Sequence, residues 1–91
     1  MSEIAVVSSP VEGGWVARVT VADGVSSREF QVTVSSAELA RLDPSAAEPT
    51  ELVRRSFEFL LAREPIESIL RSFGLSVIGR YFAEYEATIR G

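Results

Sequence analysis

The nucleophiles this chain offers are hydroxyls, and nothing in it is suited to activate them. Ser26, Ser27, Ser35, Ser36, Ser56, Ser68, Ser72 and Ser76 have no His or Lys to draw off a proton, because the sequence contains neither. No Gly-x-Ser-x-Gly elbow occurs. Cys is also missing, which excludes a thiol nucleophile and a disulfide framework. With His and Cys both gone, the usual ligands of transition metals are gone too. Carboxylates remain: Glu58, Glu64 and Glu67 lie close together in sequence, as do Glu84 and Glu86. Such groups cleave glycosides in pairs or hold a hard divalent cation. Yet Asp23 and Asp43 are the only aspartates, and no Asp-x-Asp-x-Asp-Gly loop is present. The acids read as solvated surface, and no metal or cofactor is expected. An enzyme made from this chain would need a cleft around Glu58, Glu64 or Tyr81 that perturbs an acid there. The expectation is a non-enzymatic protein. Gly13-Gly14 lacks the Lys and Ser/Thr of a phosphate loop and precedes a strand, so it reads as a turn.

A nucleic-acid reading would rest on Arg54, Arg55, Arg63, Arg71, Arg80 and Arg90, which could line up as a phosphate-contacting stripe. Most of them have an acid four positions away. The pairs are Glu51 with Arg55, Arg54 with Glu58, Glu67 with Arg71, Arg80 with Glu84, and Glu86 with Arg90. On helices these spacings set opposite charges side by side, each worth ~0.2–0.5 kcal/mol. The net charge of −4 also repels phosphate polymers and anionic lipid. A self-neutralised helical surface is the preferred reading, and neither a nucleic acid nor a membrane is the expected partner.

Aromatic residues concentrate late in the chain, at Phe57, Phe59, Phe73, Tyr81, Phe82 and Tyr85. Most belong to a helical core. Short helices on one face of a small sheet cannot shelter all six, and Tyr and Phe dominate the centres of protein interfaces. Phe59, Tyr81 and Tyr85 are therefore the candidate interface, with another copy of the chain or another protein as the partner.

The elements that carry these residues follow from periodicity. Ile4 to Ser8 is a short β-branched run, and Pro10 to Gly14 supplies a turn. In the next segment Trp15, Ala17, Val19 and Val21 alternate with Val16, Arg18 and Thr20, the period of a strand with one covered side. Asp23-Gly24 predicts a two-residue hairpin. Arg28 to Val34 returns with Phe30, Val32 and Val34 facing inward. At Ser35 the period changes: Ser35-Ser36-Ala37-Glu38 matches a capping box. That helix is short, because Asp43-Pro44 ends it. A second helix is predicted from about Pro49 to Arg63, with Val53, Phe57, Leu60 and Leu61 at helical spacing and Leu52 and Phe59 widening the apolar arc. Pro65 opens a third helix through Ile66, Ile69, Leu70 and Phe73, with Gly74 as its terminator. Ser76 is expected to cap a fourth, carrying Val77, Ile78 and Phe82, and Tyr85 and Ile89 extend its face.

The predicted fold is thus α+β: a three-stranded antiparallel meander followed by three to four short helices packed on one face. A chain of 91 residues supports one domain, residues 1–91, strand-rich over 3–34 and helical over 35–90. Its 46% hydrophobic and 24% charged residues lie in the ordinary globular range and argue against disorder. The start Met1-Ser2-Glu3-Ile4 lacks the basic and apolar regions of a signal peptide, so a cytoplasmic location is expected.

The stretch Phe57 to Tyr85, FEFLLAREPIESILRSFGLSVIGRYFAEY, resembles the C-terminal half of a group of small uncharacterised bacterial and archaeal proteins. It departs from their pattern at Gly79, where a charged helix former is usual, and at Ala83, where Pro is usual. The resemblance implies a shared fold and no catalytic residue. Glu12-Gly13-Gly14-Trp15-Val16-Ala17-Arg18-Val19 looks like the start of HicB-type antitoxins, whose Pro- and Gly-containing segment after the second strand is absent here. The functional expectation is a protein–protein interaction domain that self-associates. The alternative is an antitoxin-like or other small nucleic-acid-linked regulator.

Overall fold

The computed structural model describes residues 3–90 and shows an α+β domain with a four-stranded mixed sheet and four helices. Met1, Ser2 and Gly91, which the expected domain 1–91 includes, lie outside the described residues. Strands β1 (Glu3–Val11), β2 (Gly14–Ala22) and β3 (Ser27–Ser35) form the antiparallel meander. Alternation decides which face is covered: Ala17, Val19 and Val21 of β2 and Phe30, Val32 and Val34 of β3 are all buried on one side. Both tight connections differ from expectation. Glu12 and Gly13 alone join Val11 to Gly14, so the first strand reaches Val11 and includes Pro10. Gly13 has φ +83° and Glu12 does not turn left-handed, the pattern of a type II turn.

The Asp23-Gly24 hairpin is corrected to a four-residue loop, because pairing ends at Ala22 and Ser27. One Asp23 carboxylate oxygen accepts the backbone N–H groups of Ser26 (2.9 Å) and Val25 (3.2 Å). That Asx turn satisfies the loop with Asp23 at negative φ and only Gly24 left-handed. The Ser26 and Val25 amides hold the Asp23 carboxyl below its ordinary value.

Helix α1 (Ser36–Leu42) starts at the predicted capping box: the Glu38 N–H donates to Ser35 Oγ at 3.0 Å, and the Ser35 N–H donates to Glu38 Oε1 at 2.7 Å. It ends at Asp43, as the following proline requires. Helix α2 (Thr50–Leu61) lies across β1 and β2 and buries Leu52, Val53, Ser56, Phe57, Phe59 and Leu60. Phe57 sits at the centre of the core, 5.1 Å from the Phe30 ring and 6.1 Å from the Phe73 ring.

The meander of three strands is corrected by a fourth. The predicted helix over Ile66 to Phe73 is instead a 3₁₀ turn, Ile66–Ser68, followed by strand β4 (Ser72–Gly74), which runs parallel to β3. The Gln31 N–H donates to the Arg71 carbonyl (2.8 Å), and the Leu75 N–H donates to the Thr33 carbonyl (3.0 Å). These bonds satisfy backbone groups on the outer edge of β3, which the predicted helix would have left open. Ser76 does not cap a helix through its side chain: its N–H donates to Glu38 Oε2 (3.0 Å), and its hydroxyl bonds the same oxygen. Helices α3 (Val77–Tyr81) and α4 (Tyr85–Arg90) finish the chain.

Candidate functional site

Two of the three candidate interface residues belong to the protomer's own core. Phe59 is 5% exposed and Tyr85 1% exposed, whereas Tyr81 is 72% exposed. Phe59 is held by a small aromatic cluster: the Phe82 ring lies 5.7 Å away and the Tyr85 ring 5.3 Å away, both edge-on. The Arg63 guanidinium closes the cluster 3.6 Å from the Phe59 ring centroid. The break between α3 and α4 makes this possible. It folds the last helix back against α2, and so supplies the cover that a straight C-terminal helix would not.

Tyr85 is anchored through its hydroxyl as well as its ring. Ser56 Oγ donates to the Leu52 carbonyl (2.8 Å), so the Tyr85 hydroxyl is the donor in its 2.6 Å contact with Ser56 Oγ. Burial pushes the Tyr85 hydroxyl up to about 12. Arg55 locks the same helix from its other end, donating to the Ile89 carbonyl (2.8 Å) and to Asp43 (3.0 Å).

Tyr81 stands at the mouth of an apolar groove of about 360 Å³. Leu60 at the end of α2, Ile69 after the 3₁₀ turn, Phe73 of β4 and Ile78 of α3 line its wall, and Leu70, 52% exposed, stands at its rim. Glu64, Ser68 and Tyr81 supply its polar groups. Among the described residues no hydrogen bond or ion pair joins Glu64 to Tyr81 or gives either an activating partner. The groove can therefore shelter apolar surface and orient it by hydrogen bonds at the rim.

The arginines are placed differently from the helical pairing expected. Arg54 does pair with Glu58 (2.8 Å), and it also bonds Glu51. Arg55 turns to Asp43, Arg63 pairs with Glu84 (3.2 Å), and Arg41 pairs with Glu86 (3.3 Å). The pairs Glu67–Arg71 and Arg80–Glu84 do not form because neither segment is one continuous helix. Glu86 turns to Arg41 instead of Arg90, and among the described residues Arg18, Arg28, Arg71, Arg80 and Arg90 make no ion pair; they sit on five different segments.

A second exposed apolar patch was not singled out by sequence reasoning. Val7, 66% exposed, and Val11 lie on β1, on the sheet face that the helices leave open. The signal was the alternation itself: continuing the register from Val19 and Val21 places Val6 and Ile4 inward and Val7 outward. Val25 is exposed alone at the loop tip. No family model matches this chain, and no curated protein or solved structure matches it either.

Proposed function

We propose that this chain is a non-enzymatic protein–protein interaction domain that self-associates. One observation carries the reading: apart from Val25 at the loop tip, the large apolar side chains left in water fall into two patches at opposite edges of the sheet. Val7 and Val11 mark the outer strand β1, and Leu70 and Tyr81 mark the groove beside β4. Three strand spacings, about 14 Å, separate β1 from β4. Exposed apolar patches rimmed by polar groups are the places where another chain recovers hydrophobic free energy.

The nucleic-acid alternative draws less support from the geometry. Trp15 and Phe30 share the helix-covered face, so among the described residues no aromatic platform faces outward from the sheet for base stacking. Light scattering behind size exclusion, over a dilution series at micromolar concentration, tests the proposal. A mass approaching twice that of one chain, falling on dilution, is the expected result. A mass of one chain at every concentration contradicts self-association.

A further inference from the structure

Among the described residues, strand β1 is an outer strand of the sheet, bonded to β2 alone. Which of its backbone groups remain free follows from hydrogen bonds at the opposite edge. The Gln31 N–H and the Thr33 carbonyl point to β4. In an antiparallel pair the bonded residues alternate, so Phe30, Val32 and Val34 are the β3 residues bonded to β2. Their partners are Val19, Ala17 and Trp15, which leaves Gly14, Val16, Arg18, Thr20 and Ala22 to bond β1. Opposite them stand Val11, Ser9, Val7, Ala5 and Glu3. Ile4, Val6, Ser8 and Pro10 therefore direct their backbone groups to the free edge. Pro10 fits this assignment, because its missing N–H then breaks no ladder bond.

This edge carries few of the features that keep outer strands from pairing. No charged residue lies between Glu3 and Glu12. The strand is long and held from beneath: Ile4 and Val6 pack against the core, and Ser8 Oγ lies 2.9 Å from Thr50 Oγ1 at the start of α2. Its residues are also self-complementary. The strand runs Glu3–Val11, so its midpoint is Val7. A two-fold axis there would set two antiparallel copies in register along their whole length. Val6 would then exchange both backbone hydrogen bonds with Ser8 of the second copy, and the Ile4 N–H would meet the Pro10 carbonyl. Val7 would face Val7 of the second copy across a non-bonded pair, where side chains approach most closely. Glu3 would lie opposite Val11, away from the other Glu3.

We infer that β1 pairs antiparallel with β1 of a second copy of this chain about an axis through Val7, making one continuous sheet. This rests on the self-association proposed above and gives that contact its place.

Sedimentation velocity on the full chain and three variants separates the two claims. Val7→Lys sets like charges face to face on an exposed position, and Ser8→Pro removes an outward N–H without touching the β2 ladder. Tyr81→Ser alters the groove only. The expected result is a dimer for the native chain and Tyr81→Ser. Val7→Lys and Ser8→Pro, with unchanged circular dichroism, should both show a dissociation constant raised at least about tenfold. A dimer lost in Tyr81→Ser but intact in Val7→Lys and Ser8→Pro overturns the edge pairing and leaves self-association standing. A native chain that sediments as a monomer throughout overturns both. A monomer that binds an added extended peptide through β1 assigns the edge to a foreign strand and also overturns the inference.

Discussion

Glu38 does more than close a helix. Its two oxygens accept N–H groups from Ser35 and from Ser76, residues separated along the chain by α1, α2 and β4. Replacing it with Ala removes half of the capping box and the tie to the β4–α3 junction. The expected loss is about 1–2 kcal/mol, read as a lower denaturation midpoint with an unchanged slope. Tyr85 makes a pH prediction. Below its ordinary value of 10.0 the hydroxyl is protonated in the folded and the unfolded chain alike. Between pH 10.0 and about 12 the unfolded chain releases the proton while the buried hydroxyl keeps it. Stability therefore falls as pH rises through that window, by about 2 kcal/mol at its upper end. Tyr85→Phe should flatten this part of the profile in chemical denaturation at a series of alkaline pH values. Phe59→Ala should cost about 3–5 kcal/mol, since it empties a site packed by Phe82, Tyr85 and Arg63. An interface residue would instead change the association state and leave the protomer's stability nearly intact.

At the scale of elements, strands β2 and β3 and helices α1 and α2 were readable because local pattern and global packing agree there. The β2 alternation, the Ser35–Glu38 capping box and the apolar arc of α2 each point to a single structure. Residues 65–76 were misread because Ile66, Ile69, Leu70 and Phe73 have helical spacing. What wins is the open edge of β3, a long-range demand that no local window contains. The same reason explains why Phe59 and Tyr85, two of the three candidate interface residues, are buried. Phe59 and Tyr85 cover each other only once α4 folds back, and that contact spans 26 positions' worth of turns invisible to periodicity; Tyr81, on the outward side of a short helix, stays exposed. Gly14 makes a prediction at this scale. It sits where a Cβ would run into the Val34 carbonyl oxygen and come within 2.8 Å of the Ser35 Cα. Gly14→Ala should destabilise the chain by about 2–3 kcal/mol, because strand backbone rather than a flexible side chain must move. Thermal unfolding followed by circular dichroism reads it.

For the molecule as a whole, the sheet has one covered face and two edges, of which β4 protects only a three-residue stretch of one. The other, β1, is nine residues long and uncharged between its ends. Two copies of a chain with net charge −4 repel one another, while backbone pairing and Val7 contact are indifferent to salt. Association should therefore tighten as ionic strength rises from low values, the reverse of a contact made by ion pairs. Amide hydrogen exchange measured residue by residue at low and high protein concentration tests self-association through β1 most directly. The account predicts that exchange at Ile4, Val6 and Ser8 slows as concentration rises, while the loop at Asp23–Ser26 exchanges at the same rate throughout. Exchange at those three amides that does not depend on concentration would contradict it.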